Sequence, residues 1–151
     1  ECNYAQAVEG EIDSAHVSFL HSLVGANDAN SAALTGSYFT GDTAPKWKVI
    51  NRDHGMTLGA RRTVEDGRFY WRMNQWYHPF YTMIAPVPGG ARAFRMWVPV
   101  DDESISVICV SFRAEKPVSD EEVDAWRAGR NSHADRIPGS SSRGATARMT
   151  I

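Results

Sequence analysis

The sequence predicts an α+β fold, an antiparallel sheet flanked by helices, and three observations point to it. Between Trp47 and Ala114 apolar and polar residues alternate with period two and are interrupted by turn signals, the pattern of strands joined by hairpins. Ahead of this stretch, Gln6 to Gly25 spaces Ala7, Val8, Ile12, Ala15, Phe19, Leu20, Leu23 and Val24 at helical intervals. Behind it, Ser119-Asp120-Glu121-Glu122 sets an N-cap residue before an acidic first turn.

The elements follow in order. Gln6 to Gly25 reads as a helix of imperfect regularity, closed by a glycine suited to a C-cap. Ala26 to Pro45 turns to Asn, Ala, Ser, Thr, Gly and Asp, a long irregular connection of the kind that often serves as a lid. Trp47 to Asn51 and Met56 to Thr63 are strands around the turn Arg52-Asp53-His54-Gly55. Glu65-Asp66-Gly67 marks a second turn. Arg68 to Tyr77 then interleaves Phe69, Trp71, Met73 and Gln75 with Tyr70, Arg72, Asn74 and Trp76, giving the strand a polar, cationic side. His78-Pro79 ends it, Phe80 to Ala85 is extended, and Pro86-Val87-Pro88-Gly89-Gly90 is a loop. Ala93 to Val100 and Ser104 to Ala114 are strands joined by the acidic turn Asp101-Asp102-Glu103. Asp120 to Arg130 is a short helix bearing Val123 and Trp126. Residues 1–133 are expected to form one domain, and 134–151, rich in Ser, Arg, Gly and Ala, a loosely ordered tail. Six strands curved on a helix enclose a cavity, with Trp71, Trp76, Phe80, Phe94, Trp97 and Phe112 expected mostly in the core.

Composition narrows the function. The 151 residues are 42% hydrophobic and 23% charged, which suits a folded domain. Sixteen Lys and Arg against 18 Asp and Glu give a net charge of -2, so nothing favours a nucleic-acid or polybasic membrane partner. Cys2 and Cys109 form no disulfide framework and no cluster motif, and a cytoplasmic setting is the simplest expectation. No apolar run approaches the ~20 residues of a membrane span.

The segment that carries chemistry is Glu9-Gly10-Glu11-Ile12-Asp13-Ser14-Ala15-His16-Val17-Ser18-Phe19-Leu20-His21. Two imidazoles and a carboxylate are the donor set that holds a ferrous ion on one face and leaves the other open. His16 and His21 lie five positions apart, roughly 140° around a straight helix, so a bend is needed to bring both to one metal. Without a metal, the same residues read as two half-buried histidines behind a solvated acidic turn.

Asn3-Tyr4-Ala5-Gln6, Glu9-Gly10 and the run from Asp13 to His21 together resemble the catalytic-domain signature of Rieske non-heme iron oxygenases. The nearest branch is that of phthalate dioxygenases, phenoxybenzoate dioxygenases and vanillate demethylase-like oxygenases. Asp13, His16 and His21 fill its D-x-x-H-x-x-x-x-H pattern. Tyr70-Trp71-Arg72 with Gln75, Pro79-Phe80-Tyr81-Thr82, and Trp97-Val98-Pro99-Val100-Asp101-Asp102 extend the resemblance in the family's order.

The resemblance implies a helix-grip domain, a curved antiparallel sheet on a long helix, with a mononuclear Fe(II) on His16 and His21. Asp13 would hydrogen-bond the non-ligating nitrogen of a liganding histidine, His16 foremost, and link the site to a neighbouring subunit's Rieske cluster. Electrons would come from NAD(P)H through a reductase, O2 would be activated at the iron, and an aromatic carboxylate or ether would be hydroxylated or O-demethylated within a trimer-type homo-oligomer. The [2Fe-2S] cluster is expected only in an N-terminal Rieske domain that these residues do not supply, and the third ligand, an Asp in the family, is expected downstream. Members of this branch continue past the sheet with a segment resembling Asn-Arg-Asp/Glu-Asn-Asp-Tyr-Leu, which Asn-Arg-Glu-Asn-Asp-Tyr-Leu fits. The bases for Ala145 to Ile151 can encode that segment in a neighbouring frame, so a frameshift upstream of Ala145 is expected, and the chain alone is expected to be inactive.

Arg61, Arg62 and Arg72 lie on expected strands, where each either grips an aromatic carboxylate or faces solvent. Asn74, Gln75 and His78 are pocket candidates beside them. His54 and His133 are poor iron candidates, and Asp120, Asp124 and Asp135 read as cap, helix face and loop. The competing function is an inactive ligand-binding module that keeps the sheet-on-helix cavity without iron.

Overall fold

The computed structural model describes residues 3–20, 42–86 and 91–127. The chain divides into two compact units, Glu1–Phe112 and Arg113–Ile151.

In the first unit, α1 (Tyr4–Ile12) begins at Asn3, whose Oδ1 accepts the Ala5 N–H at 2.8 Å and so satisfies one of the helix's open donors. The helix expected to run from Gln6 to Gly25 stops after Ile12 and restarts as α2 (Val17–Leu20). Between them Asp13 leaves helical geometry at φ -68° and ψ 117°. The bend therefore falls before His16.

The sheet has the six expected strands: β1 (Lys46–Arg52), β2 (Gly55–Thr63), β3 (Phe69–Tyr77), β4 (Tyr81–Ile84), β5 (Arg92–Pro99) and β6 (Ile105–Phe112). They pair in chain order and all antiparallel, an uninterrupted meander. Each turn signal sits at its hairpin. Gly55 has φ 148°, and an added Cβ would lie 2.0 Å from the Trp76 carbonyl oxygen, so the β1–β2 turn requires glycine. Glu65–Gly67 forms a 3-10 turn with Asp66 at φ 65°, a conformation Asp tolerates better than most residues.

Register sorts the side chains, because directly paired residues share a side of the sheet. One side carries Ala60, Arg62, Arg72, Asn74, Thr82 and Arg95, through the pairs Ala60↔Arg72, Leu58↔Asn74, Trp76↔Thr82 and Thr82↔Arg95. α1 packs on this side across β3, β4 and β5. Arg62, Asn74 and Thr82 are among the most fully buried side chains described. The polar, cationic side of β3 thus faces inward.

The opposite side carries Phe69, Trp71 and Met73 on β3, and Ile108, Val110 and Phe112 on β6. All six are exposed, Trp71 at 43% and Phe69 at 53%. Trp71 and Phe112 were expected in the core, and both lie on the open face instead. Phe94 packs within an aromatic group, its ring stacked 5.8 Å from Tyr81 and 6.5 Å from Tyr77.

In the second unit, α3 (Asp120–Arg127) starts where the sequence places it. Ser119 and Glu122 form a capping box: Ser119 Oγ accepts the Glu122 N–H at 3.2 Å, and Glu122 Oε2 accepts the Ser119 N–H at 3.1 Å. Glu122 Oε1 also pairs with Arg113. The expected loop at Pro86 to Gly90 falls outside the described residues except for Pro86. So do the connection from Ala26 to residue 41 and the tail from residue 128.

Candidate functional site

Asp13 ends α1 and shapes the turn that leads into α2. Its N–H still donates to Glu9 O at 3.0 Å, while its carboxylate accepts the Ala15 N–H on Oδ1 at 2.8 Å and the His16 N–H on Oδ2 at 3.1 Å. A carboxylate bonding the amides two and three residues on closes an Asx turn ahead of α2, and the carbonyl of His16 then takes the N–H groups of Phe19 and Leu20 at 2.9 and 2.8 Å. The same Oδ2 lies 3.2 Å from His16 Nδ1. With the proton on Nδ1 in that contact, the lone pair of the ring sits on Nε2, on the far side from Asp13. One acid therefore fixes both the backbone and the ring of His16.

Arg62 on β2 holds the same turn from below and is 0% exposed. Its Nη1 donates to Ser14 Oγ at 3.2 Å, its Nη2 to the Ser14 carbonyl and to Ser18 Oγ at 3.2 Å, and its Nε to the Asp42 carbonyl at 3.2 Å. Asp42 is fixed in turn, its carboxylate accepting the N–H of Thr63 at 2.8 Å and of Ala44 at 3.1 Å. Those backbone bonds, Thr63 first, hold the Asp42 carboxyl below its ordinary pKa, with the charge of Arg62 a lesser cause. Burial pulls the Arg62 guanidinium below its ordinary pKa against the opposing charge of Asp42. Sequence left Arg62 either to a substrate or to solvent, and the structure gives it to Ser14, Ser18 and Asp42. The signal was its place two residues from Ala60 on one strand face.

Further along this face Arg95 pairs with Glu11 of α1. Arg72 is buried, and desolvation lowers its pKa against the favourable charges of Tyr70 and Glu11, with Arg62 adding repulsion. Burial likewise pushes the Tyr70 hydroxyl up. Asn74 uses both ends of its amide, Nδ2 donating to the Ile12 carbonyl at 2.9 Å and Oδ1 accepting the Ala85 N–H at 3.1 Å. Thr82 accepts the indole N–H of Trp97 at 3.0 Å.

The remaining site candidates do not gather here. Gln75 lies on the open face, bonded to the Tyr77 hydroxyl, and lines a groove of about 520 Å³ with Tyr70, Trp71, Met73 and Arg92. Arg61 is on that face too, its guanidinium 4.1 Å over the Phe69 ring. His78 is exposed at the β3–β4 turn, its ring 4.3 Å from Trp76. His54, in the β1–β2 turn, stacks 5.2 Å from Tyr77. His21 and His133 lie outside the described residues. Among the described residues no three metal-ligating side chains converge, so the donor set there amounts to one oriented imidazole, a ligand of the kind ferrous iron takes.

The described residues thus present a helix-backed antiparallel sheet with an acid-bonded histidine turn at the end of α1. Comparison with known proteins makes the class definite: a family model described as LigXa C-terminal domain like matches residues 1–134, and the chain belongs to that family, whose curated relatives here are Rieske-type oxygenase subunits. It is 34% identical over 104 residues to the 3-chlorobenzoate-3,4-dioxygenase oxygenase subunit of Comamonas testosteroni, covering 67% of this chain and 23% of that protein. It is 29% identical over 133 residues to the phthalate 4,5-dioxygenase oxygenase subunit of Pseudomonas putida, covering 83% and 30%. The tert-butanol monooxygenase / tert-amyl alcohol desaturase oxygenase subunit of Aquincola tertiaricarbonis matches at 30% over 115 residues, covering 68% and 24%. The chain thus spans between 23% and 30% of the length of these relatives.

Proposed function

We propose that this chain supplies part of the mononuclear-iron site of a Rieske-type oxygenase acting on an aromatic acid, built on a helix-grip sheet and working in the cytoplasm. The observation that carries the reading is the Asp13–His16 contact at 3.2 Å within an Asx turn that holds the His16 backbone. His16 and His21 would hold the iron, and Asp13 would orient His16 through Nδ1 and keep its Nε2 unprotonated. The chemistry a ferrous ion supplies at such a site is activation of O2, with electrons drawn from NAD(P)H through a reductase and a [2Fe-2S] cluster.

On the substrate side Arg72 and Asn74 share the face that carries the His16 turn, whereas Gln75 and Arg61 lie on the other face. Arg72 is therefore the guanidinium for a substrate carboxylate, with Asn74 holding the end of α1 in place. Gln75, Arg61 and His78 would reach a substrate only from the open side. Hydroxylation or O-demethylation within a homo-oligomer completes the reading.

Anaerobic reconstitution with Fe(II), followed by iron analysis, tests it. Stoichiometric iron that is lost in His16→Ala and in His21→Ala supports the reading. Iron no higher than in a buffer control overturns it and leaves a ligand-binding module.

A further inference from the structure

We infer that Arg62 is the positioning residue of the Asp13–His16 turn, a single buried guanidinium that fastens the chain leaving α1 to the chain entering β1 and so fixes the direction of His16. The inference concerns the orientation of His16, and it rests on the iron reading only for what that orientation serves.

Three features carry it. The bonds of Arg62 bracket His16, reaching Ser14 two residues before it and Ser18 two residues after. Rotation of the ring away from Asp13 by a backbone shift would break at least one of them. The third nitrogen, Nε, reaches the Asp42 carbonyl, and the Asp42 carboxylate returns to the N–H of Thr63, the residue next to Arg62. The clamp therefore closes on its own strand, and its base moves only if β2 slides against Tyr70 and Trp71, its partners in β3.

Packing does not account for a guanidinium at this place. An apolar side chain of similar length would fill the space without desolvating a charge. What arginine adds is a rigid planar fork that donates in three directions at once, which the single ammonium of lysine does not reproduce. The acceptors it bonds are two hydroxyls and two carbonyls, none of them a carboxylate.

Amide hydrogen exchange on the full chain tests the assignment, comparing wild type, Arg62→Met, Arg62→Lys and Thr82→Val. The last is a control that removes a buried hydrogen bond elsewhere on the same face. Arg62→Met is expected to speed exchange of the Ala15 and His16 amides by about tenfold more than it speeds that of the sheet amides, and Arg62→Lys not to restore it. Thr82→Val is expected to leave the ratio unchanged. Fe(II) affinity measured by calorimetry should fall by about ten- to a hundredfold in Arg62→Met and hold in Thr82→Val. Uniform loss of protection in Arg62→Met, or equal effects in both variants, overturns the assignment. Should Arg62→Met not fold, Ser14→Ala with Ser18→Ala removes the hydroxyl acceptors and keeps the arginine. Selective opening at Ala15 and His16 in that double variant supports the clamp, and wild-type exchange there overturns it. If wild type takes up no iron, the iron reading fails while the exchange comparison still decides the role of Arg62.

Discussion

The side of the sheet under α1 and the side turned away from it are made of the same strands, yet each holds what the other would ordinarily carry. Under the helix lie Arg62, Arg72, Asn74, Thr82 and Arg95, and away from it Phe69, Trp71, Met73, Ile108, Val110 and Phe112. On the covered side the polar groups earn no hydrophobic free energy, so they are retained for their directed bonds. Most of those bonds run to α1 or to the turn that follows it: Asn74 to Ile12, Arg95 to Glu11, Arg62 to Ser14 and Ser18. The covered face is specified by hydrogen bonding and the open one by size and β-propensity. Substitutions should therefore cost most where the area exposed is least and the groups are polar.

Asn74→Leu is the sharpest way to break this contrast. Leucine fills the volume but strands the Ile12 carbonyl and the Ala85 N–H, each worth about 1–3 kcal/mol when buried without a partner, so a loss of roughly 2–4 kcal/mol is expected in urea unfolding. Met73→Thr, its neighbour on the open face, should cost no more than about 0.5 kcal/mol. Equal losses from the two would abolish the distinction between the faces.

A smaller effect probes the open face itself. Gly59 lets the Trp71 ring and the Met73 sulfur lie against β2, and an added Cβ would stand 3.0 Å from Met73 Sδ and 3.1 Å from Trp71 Cζ3. Gly59→Ala is expected to cost about 1 kcal/mol through that crowding. Combined with Trp71→Thr the cost should shrink, because the ring that crowds the methyl is gone, and a double-mutant cycle reads the coupling. Additive losses would mean that the Met73 sulfur or the backbone, and not the Trp71 ring, resists the substitution. Binding of a hydrophobic dye to the native chain should also fall in Trp71→Thr, since the open face is where apolar surface meets water.

The contrast also shows what could be read from the sequence. Strand after strand was legible because alternation and turn residues are local, and Gly55 and Ser119 mark their turn and cap by backbone chemistry alone. Alternation on β3 separated Phe69, Trp71 and Met73 from Tyr70, Arg72 and Asn74, but not which set faces a helix. That depends on what α1 presents, and α1 presents Glu11 and the Ile12 carbonyl, which want donors. The break at Asp13 was hidden because apolar residues recur on both sides of it at helical intervals. The signal was Asp13 itself, a residue type whose carboxylate takes the amides two and three residues on and so competes with a continuing helix. The partners of Arg62 lie 44 and 48 residues away at Ser18 and Ser14, beyond any local pattern.

The smallest effect expected separates ties that titrate from ties that do not. On the covered face Asn74 and Thr82 make their bonds through amide, carbonyl, indole and hydroxyl groups, which keep their state through mild acid. The start of α3 in the second unit depends instead on a carboxylate: Arg113 above all, then the Ser119 N–H, draw the pKa of Glu122 down from 4.5 to about 2. A carboxyl whose folded pKa is depressed contributes stability that is complete above its unfolded value and is lost as pH falls through its folded value. Helicity at Asp120–Arg127 should therefore hold above pH 4.5 and decline between 4.5 and about 2. Glu122→Gln should flatten this decline, because an amide oxygen can still accept the Ser119 N–H but carries no charge to lose. Protection of the Ala85 amide, which donates to Asn74 Oδ1 on the first unit's covered face, should persist through that window, because a side-chain amide does not titrate there. If residue-resolved spectra show the two regions failing together at one pH, acid unfolds the chain as a unit and the capping box is not the weak point.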